Sequence, residues 1–156
     1  MSKLDPDTIA PHIGSSYPAP FDAPCTKRVR RRFGSAGGLN DFGVNLLELL
    51  PGAWSSQRHW HSAEDEFVYV LSGEVSLISD AGEEILHAGD CAAFPKGEAN
   101  GHHFVNRTDK NVLCLEVGGR SSEDVCSYPD IDLKIAERAK GYMHRDGTPY
   151  PKSPQA

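Results

Sequence analysis

His59, His61, Glu66 and His102 are the residues of this chain best suited to do chemistry together. His59 and His61 are two positions apart, a carboxylate follows at Glu66, and a third imidazole lies far downstream at His102. On a strand, successive side chains alternate faces, so His59 and His61 point one way and Trp60 the other. Glu66 follows a short bend at 62–65 and opens an apolar run to Leu71. His102 and His103 are adjacent, so only one of them faces the same side as the rest; His102 shares its parity with Phe104 and Asn106. Imidazole and carboxylate together suit one borderline divalent ion such as Zn, Mn, Fe or Ni. Three histidines and one carboxylate leave coordination positions open, which a catalytic ion requires. The competing reading is that these are solvated loop histidines. Five of the seven histidines fall between 59 and 103, which favours a shared site.

The elements around these residues read as strands. Short apolar runs recur at 44–50, 67–71, 74–78, 83–86, 91–94, 102–105 and 111–117. Turn signals separate them at 51–52, 72–73, 80–82, 89–90 and 108–110. Many short strands at this spacing predict an all-β sandwich or barrel. Before them, prolines 6, 11, 18, 20 and 24 predict an extended N-terminal arm over 1–25. After them, Ile131, Ile135 and Ala139 repeat four apart and predict a short helix over 130–140, capped by Asp130 or Asp132 and ended by Gly141. The expected organisation is an arm over 1–25, a barrel over 26–128, and a C-terminal helix and tail over 129–156.

The glycines and prolines framing the histidines resemble the two motifs of the cupin superfamily, small jelly-roll barrels. The first motif is a glycine, five residues, His-x-His, three or four residues, Glu, six residues, Gly. His59, His61, Glu66 and Gly73 match it, and Gly52 lies one residue further out. The second is Gly, five residues, Pro-x-Gly, two residues, His, three residues, Asn. Gly89, Pro95 and Gly97 match in register, as does the spacing of His102 to Asn106. The gap from Gly97 to His102 is two residues longer than the pattern. Strict counting puts Asn100 at the ligand position, the spacing to Asn106 favours His102, and His103 is the alternative. The resemblance covers residues 42–118. It implies a jelly-roll barrel with one divalent metal held inside by His59, His61, Glu66 and His102, and pairing into homodimers. Small single-domain cupins include sugar and sugar-phosphate isomerases, dioxygenases and lyases. An enzyme acting on a small oxygen-rich metabolite is therefore one expectation. A non-enzymatic metal-containing binding or sensing module is the other. No proton-transfer residue is singled out.

Composition narrows the classes. The chain has 156 residues and a net charge of −6, which suits one domain and argues against a general nucleic-acid binder. No apolar run reaches the roughly 18 residues that span a bilayer, and no apolar stretch follows the N-terminal lysine, so the expected location is cytoplasmic. Cys25, Cys91, Cys114 and Cys126 are expected as free thiols, with Cys91 and Cys114 as small core residues. Alternation places Arg28, Arg30 and Arg32 of the basic run 27–32 on one face, from which one could reach a barrel mouth; the plainer reading is a solvated strand edge or subunit contact. Phe67 and Tyr69 face away from Glu66, and an outward aromatic face needs a cover. Glu64, Asp65 and Asn106 are candidates to orient the imidazoles. In the tail, His144, Arg145 and Tyr150 either close over a barrel mouth or simply pack. There is no Gly-rich phosphate loop and no Gly-x-Ser-x-Gly elbow.

Overall fold

A computed structural model describes residues 3–151. Its strands are β1 (His12–Ile13), β2 (Arg28–Arg32), β3 (Phe42–Leu49), β4 (Trp60–His61), β5 (Glu66–Ser72), β6 (Glu74–Ser79), β7 (Gly82–His87), β8 (Cys91–Phe94), β9 (His103–Val105), β10 (Val112–Gly119), β11 (Cys126–Ser127) and β12 (Lys134–Ile135). One sheet has the order β1-β2-β3-β10-β5-β8, and two three-stranded sheets run β7-β6-β9 and β12-β11-β4. All pairings are antiparallel. The sheets are not joined into a closed ladder, and the arrangement is a jelly roll.

The alternation read from the sequence builds the core. On β5, Val68 and Val70 are buried while Phe67, Tyr69 and Leu71 are exposed. Val68 and Val70 meet Leu47, Leu49, Val75, Leu86, Phe104, Val112 and Cys114 between the sheets. A tight turn between β5 and β6 needs Gly73: its φ is +87°, and a Cβ there would lie 3.0 Å from the Asn111 carbonyl oxygen.

A second core joins the N-terminal arm to β11 and the segment after it. Tyr17 and Cys25 from the N-terminal arm pack with Cys126, Tyr128 and Leu133. Arg28 fastens the arm, donating from Nε to the Gly14 carbonyl at 3.0 Å and from Nη1 to the Ser55 carbonyl at 2.6 Å.

Two expectations are corrected. The helix over 130–140 does not form. Lys134–Ile135 is strand β12, paired with β11, and only Arg138–Lys140 makes a 3-10 turn. Ile131, Leu133 and Ile135 also alternate with period two, and Leu133 is the most buried of the three. Pairing with β11 outweighs the four-residue spacing. Cys91 is exposed rather than in the core, because Ala92 and Phe94 hold the inward positions of β8; Cys114 is buried. Among the described residues no helix is long and apolar enough to cross a membrane.

Candidate metal centre

Backbone pairing brings the first two imidazoles together. His59 and His102 exchange two hydrogen bonds, His59 N to His102 O at 3.1 Å and His102 N to His59 O at 2.9 Å. Residues paired in this way project side chains to the same side. Gly101, just before His102, lets Pro129 pack against the chain there, since a Cβ would lie 2.7 Å from Pro129 Cγ. His61 on β4 pairs with Cys126 on β11, and Glu66 opens β5 opposite Phe94.

The ring nitrogens converge on one oxygen. Glu66 Oε2 lies 3.1 Å from His102 Nε2 and 3.6 Å from both His59 Nε2 and His61 Nε2. Ligand atoms about 2.0–2.2 Å from a shared ion stand roughly 3.0–3.6 Å apart, and the three distances to Glu66 Oε2 fall in that range. His59, Glu66 and His102 offer atoms all within 4.8 Å of one another; His61 touches Glu66 at 3.6 Å but falls into other such groups, with His59 and Cys126 and with Glu64 and Asp124. Glu66 Oε2 is buried and makes no hydrogen bond. A buried carboxylate oxygen without a hydrogen bond is costly unless something cationic meets it.

The other face of each ring is held differently. His59 Nδ1 lies 2.9 Å from the Gln57 carbonyl oxygen, which fixes the tautomer and turns the Nε2 lone pair toward Glu66. His61 Nδ1 lies 2.6 Å from Asp124 Oδ2, and Asp124 Oδ1 accepts from Ala63 N at 2.9 Å. The His102 ring stacks on Phe94, with centroids 3.5 Å apart and planes 4° apart, and its Nδ1 has no partner.

Burial and neighbouring charge separate the titrations in the ion-free chain. Burial drives His59 down to about 4, helped by His102 and His61 and opposed by Glu66. Burial also works against a charged His61, but the Cys126 thiol, Glu66 and Asp124 outweigh it and raise His61 to about 10. Burial of Glu66 is outweighed by the three histidines, which lower it to about 2.

The structure brings together all four sequence-derived residues and separates them from the alternatives. The His103 ring turns away, with Nδ1 2.9 Å from the Ser56 carbonyl oxygen and its face against Trp54. Asn100 accepts from Asp80 N. Of the expected orienting residues, Asp65 accepts from Lys96 N, and Asn106 donates to the Leu49 and Lys110 carbonyls, so neither holds an imidazole. Glu64 Oε2 lies 3.9 Å from His61 Nδ1 and its Oε1 accepts from Ser121 N. Sequence reasoning missed Asp124, which lies 63 positions from His61, outside both motifs. Its buried position beside β4 becomes visible only once β11 is docked. In the tail, His144 and Arg145 engage Asp132, Tyr128 and Pro129, and Tyr150 stacks on His144; the tail residue that reaches the site is Tyr142.

Two cavities meet at the cluster. One of about 450 Å³ is lined by all four residues together with Arg28, Arg30, Arg32 and Arg120. The other, about 300 Å³, touches His61, Glu66 and His102 and is lined further by Leu77, Leu86, Glu84 and Glu98. Both fall near or within the roughly 300–1,000 Å³ range of small-molecule sites.

A jelly roll with histidines and a glutamate gathered inside it could hold a metal ion, and comparison with known proteins gives the family. Residues 45–118 match the family model described as a cupin domain. A sugar phosphate isomerase from a cupin superfamily, of Silicibacter pomeroyi, is 47% identical over 96% of this chain and 97% of its own, with a TM-score of 0.90. A putative sugar phosphate isomerase from Acidithiobacillus ferrooxidans is 27% identical over 90% of each chain, with a TM-score of 0.74. A predicted oxalate decarboxylase from Thermotoga maritima is 18% identical over 77% of this chain and all of its own, TM-score 0.62, and shares the fold. Comparison with curated proteins found no match. The chain belongs to the cupin superfamily.

Proposed function

We propose that this chain is a metal-dependent isomerase of a small sugar phosphate, with one divalent ion (Zn, Mn, Fe or Ni) held by His59, His61, Glu66 and His102. The observation that carries the metal is Glu66 Oε2, buried without a hydrogen bond at the focus of three Nε2 atoms. The substrate class is supported by the 47% identity to a protein described as a sugar phosphate isomerase.

When bound, the ion supplies Lewis acidity to a substrate carbonyl or hydroxyl. The chain's own residues do the rest. Asp124 holds the His61 ring and Gln57 the His59 ring, so the Nε2 atoms are aimed before any ligand arrives. Tyr17, Tyr128 and Tyr142 line the same cavity and pack together in the second core. Interconversion of an aldose and a ketose moves one proton from a carbon to its neighbour and one from the hydroxyl to the carbonyl oxygen, and needs no co-reactant.

Phe67, Tyr69 and Leu71, at 38%, 38% and 45% exposure, form an apolar row on the outer face of β5. A second copy covering this row is our reading of the assembly. Free thiols at all four cysteines favour a reducing compartment, and we read the location as cytoplasmic.

The test of the activity is incubation of metal-loaded protein with a panel of aldose and ketose phosphates in D2O, without oxygen. Isomerisation with deuterium entering the carbon beside the carbonyl supports the reading. Thermal stabilisation by a sugar phosphate without turnover would favour the binding-module reading, and a requirement for oxygen would favour a dioxygenase.

A further inference from the structure

The larger cavity has a charged wall that the metal cluster does not use. Arg28, Arg30 and Arg32 alternate along β2 and all line it, with Arg120 nearby. Two of these are committed elsewhere. Arg28 is tied to two backbone carbonyls, and Arg120 donates to the Leu39 carbonyl and to Ser35 Oγ. Arg30 is ion-paired with Glu116: Nη2 donates to Oε1 at 2.9 Å, while Nε lies 2.9 Å from Oε2 without a hydrogen bond. Arg32 is exposed, and among the described residues its guanidinium has neither a hydrogen bond nor an ion pair.

The sheet register shows how this wall faces the metal cluster. Arg32 pairs with Asn45, Asn45 with Glu116, and Glu116 with Val68, and all four line the cavity. Val68 is the next inward residue after Glu66 on β5. Three ladder spacings of about 4.8 Å put roughly 14 Å of sheet between the β2 and β5 backbones. In the adjoining row, Glu66 pairs with Gly118 and Gly118 with Gly43. Two glycines leave that row without side chains of its own, and the Arg120 guanidinium lies over Gly43, its Nε 3.6 Å from where a Cβ would stand. The smaller cavity carries Glu84 and Glu98 and no arginine. The larger one also holds carboxylates, Glu64, Glu66, Glu116 and Asp124, but Glu116 is taken up by Arg30 and Asp124 by His61 and Ala63, so the arginine end at Arg32 is its positive part. The concentration of positive charge is also felt by His12, on the strand beside β2: burial, then Arg32, Arg28 and Arg30, hold its pKa below the ordinary value.

We propose that Arg32, backed by Arg30 on the same wall, is an anion subsite that takes the phosphate end of the substrate while the carbonyl end reaches the histidine cluster. The phosphate assignment rests on the sugar-phosphate reading; the subsite itself rests on the cavity.

The test uses metal-loaded protein and inorganic phosphate as probe, with binding measured by calorimetry. Arg32→Met should weaken phosphate binding about tenfold or more, the loss of a charge-assisted hydrogen bond. Arg32→Lys should restore part of it. Lys27→Met removes the same charge one residue before β2 and on the opposite parity, and should change the affinity less than about twofold, the size of a distant screened charge. Equal effects of Arg32→Met and Lys27→Met, or none from Arg32→Met, overturn the subsite. In turnover, Arg32→Met should raise KM for a phosphorylated sugar by a larger factor than it raises KM for the free sugar. Phosphate binding that depends on Arg32 in a protein that turns over no sugar keeps the subsite and defeats the isomerase reading. Isomerase activity indifferent to both phosphate and Arg32 does the reverse.

Discussion

Asp124→Asn tests how the metal site is aimed. Asp124 is 4% exposed and holds two donors at once, His61 Nδ1 at 2.6 Å and Ala63 N at 2.9 Å. Asparagine keeps the shape but offers one acceptor oxygen instead of two. Whichever donor it serves, its amide nitrogen is turned against the other, leaving a buried N–H without a partner at about 1–3 kcal/mol. If His61 loses the contact, the ring is free to rotate and its Nε2 is less basic. Partners of this kind typically contribute ten- to a hundredfold to metal affinity, or about 1.4–2.7 kcal/mol. Competitive titration of zinc against a chromophoric chelator measures the change directly. The expectation is a dissociation constant ten- to a hundredfold weaker, with one ion per chain still bound at saturation. Unchanged affinity in a folded Asp124→Asn protein would refute the claim that this carboxylate orients a ligand.

Other consequences follow from the same geometry. His102→Ala should cost most of the bound metal, whereas His103→Ala should keep it and lower only thermal stability; elemental analysis of the two variants separates them, and equal metal losses would contradict the placement of these rings. With His61 raised to about 10, that ring is protonated at pH 7, so an ion must displace a proton to reach Nε2. Calorimetry in buffers of different ionisation enthalpy should show about one proton released per ion at pH 7, with metal affinity rising with pH until the ring's own pKa is passed; no proton release would contradict this. Arg28→Met strips a charged donor from the Gly14 and Ser55 carbonyls and should destabilise the fold by about 1.5–3 kcal/mol in urea unfolding, with metal content per folded chain unchanged. Phe67→Lys combined with Tyr69→Lys should convert a dimer to a monomer in analytical ultracentrifugation, and a wild type that sediments as a monomer would remove the second copy from the proposal.

Much of the barrel was legible because its pattern is local. The runs at 67–71, 74–78, 83–86 and 91–94 each sit within one residue of the observed β5 to β8, since period-two alternation and positive-φ glycines are written in consecutive residues. The four clustered residues were legible for a related reason: two share a strand face, and their spacing fits a known motif. What was hidden depends on distant pairing. Asp124 reaches His61 across 63 positions, and β12 forms because β11 is there to receive it, not because its own spacing demands a strand. The choice between His102 and His103 was half-legible. The spacing to Asn106 favoured His102 over His103, and the exchanged backbone bonds between His59 and His102 put that ring beside His59. Arg28, Arg30 and Arg32 were recognised as one face, but only the sheet order showed that this face looks into the same cavity as Glu66.

Anomalous diffraction at the absorption edge of the bound metal, on crystals of protein purified without chelator, is the most direct test. One ion per chain should appear about 2.0–2.2 Å from Nε2 of His59, His61 and His102 and from a Glu66 oxygen. An ion seated instead among His61, Glu64 and Asp124, or no ion after soaking in zinc and manganese, would contradict the central assignment.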